Sequence, residues 1–192
     1  MRLLLATRNP HKVREFGQLL APHDVDPLPA SVLLPPETGA TFAANALDKA
    51  RAAAAATGRI AIADDSGIQA DALGGAPGVR SARYAGEHAS DQENLARLLR
   101  EAPAGSGLTY VCVLAYVDPH APVEHVLEGR CAGTLASQPR GTGGFGYDPA
   151  FIPDERDDGL TMAELAPADK DAISHRGRAA RALLAWLEGE PG

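Results

Sequence analysis

Cysteine is scarce in this chain, and it contains neither a Walker loop nor a long apolar run near its start. The two cysteines, Cys112 and Cys131, lie in apolar or strand-like settings without metal-ligand spacing, which predicts reduced core thiols in a cytoplasmic protein. Neither G-x-x-x-x-G-K-S nor G-x-x-x-x-G-K-T occurs, so phosphate binding cannot use a Walker loop. The apolar run at residues 3–6 is far too short for a signal peptide or a membrane span, so we expect no membrane contact.

Positive charge is also in deficit, because the formal net charge is −7. A nucleic-acid polymer or an anionic membrane would require a basic face, so neither is an expected partner. An anionic ligand would instead need local positive contacts. The length of 192 residues and the 45% hydrophobic content fit one soluble domain over residues 1–192, with room for two lobes.

Apolar strand-like runs alternate with helical patterns, which predicts an α/β fold. The predicted strands are residues 2–6, 60–63, 110–117 and 123–127, the last two as an antiparallel pair around a turn at residues 118–120. Four helices are predicted. The first has Asn9 as its N-cap and Pro10 as its first residue, and the second runs from Thr41 or Phe42 to just before Gly58. The third begins at a capping box formed by Ser90 and Glu93, and the fourth covers residues 174–188.

The most informative segment is residues 141–153, where four glycines surround an aromatic ring and a carboxylate. Glycine lets the backbone approach a ligand closely, so a ring on this loop is suited to stack on a planar base. Asp148, rigidified by Pro149, is suited to accept hydrogen bonds or orient a cation. The segment satisfies G-x-G-x-x-G, but an extended stretch follows instead of a helix, which excludes a dinucleotide fingerprint. A plain glycine-rich hairpin loop is the alternative.

A second candidate site is the turn between the first strand and the first helix. Its residues are Thr7, Arg8, Asn9, Pro10, His11 and Lys12. A helix N-terminus presents unpaired N–H groups and a positive dipole end, which favours phosphate. Lys12 is unfavourable in a first turn unless an anion lies nearby. The alternative is an ordinary capped helix with a solvated lysine.

Two adjacent carboxylates, Asp64 and Asp65, follow a predicted strand, where open α/β sheets place ligands. Side chains alternate along a strand, so Asp64 and Asp65 should face opposite sides. Asp65 continues the face of Ala61 and Ala63, and these small side chains leave room for a ligand, so Asp65 is the expected site residue. Asp64 would then bond to the backbone or support the residues that contact the ligand. Hard oxygen ligands suit Mg²⁺ shared with substrate phosphates. An Asx-type turn is the alternative.

A third group, Lys170 with His175 and Arg176, precedes the last helix. Arginine offers a planar fork of donors and histidine donates or accepts, so the pair is suited to the carbonyl edge of a base or to a phosphate. A surface ion pair is the alternative for Arg176.

Six groups of residues, taken in chain order, carry a family resemblance. They are Thr7, Asn9 and Lys12; residues 37–50; residues 63–67; residues 73–83; residues 141–149; and residues 173–177. Together they strongly resemble the inosine triphosphate pyrophosphatase family. The resemblance implies Mg²⁺-assisted hydrolysis of dITP, ITP and XTP to the monophosphate and pyrophosphate. It also implies a homodimer and a two-lobed α/β fold, with a long twisted mixed β-sheet flanked by helices and a central substrate cleft.

The resemblance also implies a role for each matching residue. Residues 7–12 would hold the triphosphate, with Lys49 as a further phosphate contact and Ser66 as a substrate contact. Glu37 and Asp65 would bind Mg²⁺, and Asp65 would also be the base for the attacking water. The residues around the purine and sugar would be Phe145, Gly146, Tyr147, Asp148, Lys170, His175 and Arg176.

Two positions depart from the family pattern. Many relatives carry a small residue in place of Arg8 and a glutamate in place of Ala44. Without that glutamate, Glu37 carries more of the expected metal binding. Two other functions stay open on the residues alone, a non-catalytic purine nucleotide sensor and a phosphatase that releases orthophosphate.

Overall fold

A computed structural model describes residues 1–189, and its central feature is a six-stranded sheet. The strands are β1 (Arg2–Leu5), β2 (Asp24–Pro27), β3 (Ala61–Ala70), β4 (Gly107–Asp118), β5 (Val123–Leu135) and β6 (Phe151–Pro153), in the order β2-β1-β3-β4-β5-β6. The helices are α1 (Pro10–Leu19), α2 (Phe42–Thr57), α3 (Asp91–Glu101), α4 (Pro167–Ile173) and α5 (His175–Leu187). β1 is parallel to β2 and β3, whereas β5 and β6 are antiparallel, so the predicted mixed α/β sheet is confirmed.

Local capping chemistry determines where the first three helices begin. The Asn9 side chain accepts a hydrogen bond from the His11 amide and Pro10 is the first helical residue, as predicted. Thr41 caps α2, and Ser90 with Glu93 forms the predicted capping box of α3. Each cap satisfies backbone N–H groups that the helix itself leaves without partners.

The first of two compact units comprises residues 1–65, 112–129 and the described chain from residue 176 onward. Its core packs β1 and β3 side chains against the buried faces of α1 and α5. The fully buried members include Leu3, Leu5, Phe16, Leu20, Ile62, Cys112, Leu114, Ala180 and Leu183. The last helix therefore packs into this core through Ala180 and Leu183.

The second unit comprises Ser66–Val111 and Arg130–His175. Its core joins α3 to the β4 and β5 residues of the same unit and to the segment around β6. The most buried members include Ile68, Leu98, Leu108, Cys131, Leu135, Phe151 and Met162. Cys112 and Cys131 are both buried in the cores, as predicted for core thiols.

The prediction for β3 was wrong in its length, because the strand does not end at Ala63. It continues through Asp64, Asp65, Ser66 and Gly67 to Ala70, which also excludes the Asx-turn alternative. This turn-like composition is overridden because β3 lies inside the sheet, hydrogen-bonded to β1 on one side and β4 on the other. Both acids are therefore held on a rigid strand.

Other boundaries also differ from the prediction. β4 and β5 are longer than expected and are joined by residues 119–122, and so short a connection makes adjacent strands antiparallel. Helix α4 was missed, although Pro167 at its first position is a typical start signal. None of the helices in residues 1–189 has the length and apolar character that a membrane crossing requires.

Gly133 provides a test of the packing between β5 and β6. A Cβ at this position would lie 2.4 Å from the Ile152 carbonyl oxygen and 2.5 Å from the Phe151 ring. Gly133→Ala should therefore lower the free energy of unfolding by about 1–3 kcal/mol, measured by urea denaturation.

Gly17 in α1 is the matched control, because a Cβ there meets nothing within 4 Å. Gly17→Ala should raise stability by roughly 0.5–1 kcal/mol, since alanine favours helix over glycine. Equal effects of the two substitutions would contradict the packing described here.

Candidate functional site

The turn at residues 7–12 is an ordered helix start in the first unit. Thr7 Oγ1 accepts a hydrogen bond from the Asn9 amide at 3.2 Å, and the Asn9 side chain accepts one from the His11 amide at 2.9 Å. The first turn of α1 contains no acidic residue. The positive end of the helix dipole therefore remains available to an anion at this point.

Arg8 has a role that the sequence did not indicate. Its guanidinium donates to the carbonyl oxygens of Leu28, Pro29, Ala30 and Val32, over distances of 2.6 to 3.3 Å. These bonds tie the segment after β2 to the turn before α1. The Arg8 side chain is therefore bonded to this segment, and its phosphate contact stays a prediction.

Lys12 pairs with Asp64 in the interior of the first unit. Its Nζ lies 2.7 Å from Asp64 Oδ2, and the two side chains are 15% and 0% exposed. The solvated-lysine alternative is therefore wrong. Burial would raise the pKa of Asp64, but the charges of Lys12, Lys49 and Arg176 outweigh it and hold that pKa at about 2. Asp64 is thus a permanently charged anchor for Lys12.

Lys49 of α2 connects both acidic segments. It donates to the Asp64 carbonyl oxygen at 2.6 Å and forms an ion pair with Glu37. Burial lowers the pKa of Lys49, but Asp64 and Glu37 more than compensate, so the net shift is upward and the ammonium stays charged. The irregular segment that carries Glu37 is therefore fixed to β3 through this lysine.

Asp65 faces α2, whereas Asp64 faces α1, as strand alternation predicted. The Asn45 amide donates to Asp65 Oδ2 at 2.8 Å, and Asn45 Oδ1 accepts from the Gly39 amide at 2.7 Å. Sequence analysis assigned Asn45 no role, although a polar residue among the alanines of α2 was a usable signal. Asn45 therefore bonds both to Asp65 and to the segment that contains Glu37 and Gly39.

The environment of Asp65 fits a cation. The pKa of Asp65 is raised to about 6 by burial and by the charge of Glu37, even though a hydrogen bond from Asn45 and the charge of Lys49 act to lower it. Glu37 and Asp65 therefore interact electrostatically, and a shared cation would relieve their repulsion. No cluster of three histidine, cysteine or acidic side chains suited to a metal occurs in residues 1–189. Two carboxylates are sufficient for Mg²⁺, which usually keeps waters and binds substrate phosphates.

Asp148 organises the second unit's group of predicted site residues. Its Oδ1 accepts a hydrogen bond from the Tyr110 hydroxyl at 3.0 Å. Its Oδ2 accepts from Lys170 Nζ and from the Phe145 amide, both at 2.9 Å. Of the two predicted roles, accepting hydrogen bonds is the one that Asp148 shows, and one of its donors is the Lys170 ammonium.

The aromatic residues of this group divide into two kinds. Phe145 is half-buried, and Lys170 Nζ lies 5.5 Å from its ring centre. Tyr147 is buried in the core and donates its hydroxyl to the Ser81 carbonyl oxygen at 2.8 Å. A ring available for stacking is therefore Phe145, and the ring of Tyr147 serves packing. The Gly146 amide donates to Asp91 at the start of α3.

His175 and Arg176 are neighbours in sequence but belong to different units. His175 stacks on Tyr110, with ring centres 4.4 Å apart and planes 8° apart. Arg176 is 7% exposed and donates to Glu15 at 3.3 Å, so the surface ion-pair alternative is wrong. Its charge also lowers the pKa of Asp64.

The predicted site residues thus form two groups, one in each unit. In the first unit lie Thr7, Arg8, Asn9, Pro10, His11, Lys12, Glu37, Lys49, Asp65 and Arg176. In the second unit lie Ser66, Phe145, Gly146, Tyr147, Asp148, Lys170 and His175. The first group is charged and contains the acids, and the second supplies the aromatic ring and the polar side chains around Asp148.

These features define a mixed-sheet α/β protein with a buried charged group around the two acids of β3 and a second polar group around Asp148. The chain belongs to the Ham1 family, whose model matches residues 3–186. This match confirms the resemblance drawn from the six sequence motifs.

Individual relatives match over almost the full chain. A Streptomyces coelicolor protein named dITP/XTP pyrophosphatase is 49% identical over 193 residues, covering 95% of each chain. A solved HAM1 protein from Coxiella burnetii is 39% identical with a TM-score of 0.87, covering 98% of this chain and 99% of that one. The Staphylococcus aureus Ham1 protein is 36% identical with a TM-score of 0.85, covering 100% of both.

The two adjacent acids should differ in their effect on stability. Asp64→Asn should lower the free energy of unfolding by roughly 3 kcal/mol, because it leaves Lys12 beside a neutral group. Asp65→Asn should not lower it, because burial disfavours the charged form of this carboxylate. Urea denaturation at neutral pH without divalent cations compares the two. Equal losses, or a larger loss for Asp65→Asn, would contradict these assignments.

Proposed function

We propose that this chain is a Mg²⁺-assisted pyrophosphatase that hydrolyses dITP, ITP and XTP to the monophosphate and pyrophosphate. The observation that carries the proposal is the grouping of Lys12, Lys49 and Glu37 around Asp64 and Asp65 in the first unit. The S. coelicolor relative, named for this reaction, supports the choice of substrate class. The homodimer belongs to the same proposal and rests on the resemblance. The cytoplasmic location rests on the two reduced cysteines, and the single functional domain over residues 1–192 rests on length and composition.

The first unit binds the triphosphate. The amides at the start of α1 and the ammonium groups of Lys12 and Lys49 provide local positive contacts, which an acidic chain needs in order to hold a polyanion. Asp64 keeps Lys12 in place. When substrate brings its own negative charge, Lys49 is positioned to exchange part of its pairing with Glu37 for a phosphate oxygen.

Glu37 and Asp65 are the residues that would hold Mg²⁺, which when bound would supply neutralisation of phosphate charge and polarisation of the α-phosphorus. Asp65 also orients and deprotonates the attacking water. Because Asn45 engages Asp65 Oδ2, the proton-accepting role falls to Oδ1.

The second unit recognises the base. Phe145 stacks on the purine, while Lys170 and His175 present donors to the 6-oxo group of hypoxanthine or xanthine. Adenine carries a 6-amino group, which would leave those donors without acceptors and can reduce reactivity by roughly 10⁴-fold. Ser66 also contacts the substrate. Arg176 lies in the first unit, and its proposed role in base recognition rests on the motif that it shares with His175. The hydrogen bond from Lys170 to Asp148 supports this proposal, because it holds the lysine in place beside Phe145.

Product analysis tests the reaction. With Mg²⁺, the purified chain should convert ITP, dITP and XTP to monophosphate and pyrophosphate, and it should act on ATP and CTP at least about 100-fold more slowly. Pyrophosphate and orthophosphate should be measured separately, with and without a chelator. Orthophosphate as the main first product would indicate a phosphatase, and tight binding without turnover would indicate a sensor.

Three acid substitutions test the mechanism. Asp65→Asn should lower kcat at least about 100-fold, because it removes the base and a metal ligand together. Glu37→Gln should mainly raise the Mg²⁺ concentration needed for half the maximal rate. Asp64→Asn should be milder in kcat and should mainly raise KM, because it loosens Lys12. Steady-state kinetics across a Mg²⁺ series separates these effects, and a dead Asp64→Asn beside a normal Asp65→Asn would refute the assignment.

A further inference from the structure

Tyr110 of β4 contacts two residues of the proposed base-recognition group, yet no sequence motif includes it. It is 5% exposed and lies in the second unit. Its hydroxyl bonds to Asp148, one face of its ring lies parallel to His175, and its ring also packs against Phe151 with centres 4.4 Å apart. A tyrosine that only filled the core would not need to connect these particular side chains.

The hydroxyl of Tyr110 determines the orientation of the Asp148 carboxylate. It is the donor at Oδ1, while Lys170 and the Phe145 amide donate to Oδ2. Donors on both oxygens fix rotation about the Cβ–Cγ bond. Without the bond at Oδ1 the carboxylate can turn, and Lys170 and the Phe145 amide would lose the fixed oxygen to which both donate.

The ring of Tyr110 determines the orientation of His175. The two rings are nearly parallel at 4.4 Å, and Phe151 supports the tyrosine through a second contact tilted by 30°. The stacking holds the imidazole plane in one direction, and therefore the direction in which its N–H points. One side chain thus orients Lys170, Phe145 and His175.

We propose that Tyr110 is a positioning residue for purine recognition, acting through Asp148 with its hydroxyl and on His175 with its ring. This inference rests on the proposed function, because it concerns the same base group. It predicts a selective effect, since the triphosphate and the acids belong to the first unit and do not depend on Tyr110.

The test compares Tyr110→Phe and Asp148→Asn with wild type and with Tyr116→Phe, a buried tyrosine farther along β4 that packs against Trp186. Calorimetry with Mg²⁺ measures binding of IMP and of pyrophosphate, and kinetics with ITP gives kcat and KM. Tyr110→Phe should weaken IMP binding and raise KM for ITP by roughly tenfold, the loss of one hydrogen bond to a charged group. Its kcat and pyrophosphate affinity should stay within about twofold, and Tyr116→Phe should match wild type in all four quantities.

Asp148→Asn should weaken IMP binding in the same way, because it interrupts the same link from the other end. In the double variant, the effect of Tyr110→Phe should largely disappear. Unchanged IMP affinity in Tyr110→Phe, or an equal loss of IMP and pyrophosphate affinity, would overturn the inference.

Failure of both single variants to fold would also overturn it, since Tyr110 would then be a structural residue. If wild type neither binds IMP nor hydrolyses ITP, the proposed function itself is wrong. Weaker IMP binding in both Tyr110→Phe and Asp148→Asn, beside a wild type that hydrolyses ITP, supports the positioning role.

Discussion

The buried ion pair between Lys12 and Asp64 is the interaction on which the first unit's site depends. Parallel pairing of β1 and β3 sets Leu5 beside Ile62, so the start of α1 lies level with Asp64. A carboxylate inside a sheet is costly unless it is compensated, and Lys12 provides that charge at 2.7 Å. With Asp64 anchored, its carbonyl accepts from Lys49, and Lys49 in turn holds Glu37. Glu37 is thus connected through Lys49 to the residue that Lys12 anchors.

What could be predicted from sequence was local in origin. Helix starts at Asn9, Thr41 and Ser90 were predictable, because a capping side chain bonds to backbone two or three residues away. The facing of Asp64 and Asp65 was also predictable, because alternation is a property of any strand. The length of β3 was not, since pairing with both neighbouring strands outweighs the turn preference of its own residues.

The contacts that sequence analysis missed join residues far apart in the chain. Asn45 and Asp65 are 20 positions apart, and Tyr110 and Asp148 are 38 apart. No spacing rule connects such pairs, and only the fold brings them together. The charged residues could be singled out from the sequence, because a charge that becomes buried needs a partner. Which partner each residue takes depends on the order and register of the strands.

The proposed roles of Asp65 and Glu37 all depend on attack by water at the α-phosphorus of a non-standard purine triphosphate. Hydrolysis of ITP in water labelled with oxygen-18, followed by mass spectrometry of both products, tests it directly. Attack at the α-phosphorus places the label in the monophosphate and leaves the pyrophosphate unlabelled. Label in pyrophosphate, or in orthophosphate, would contradict the account.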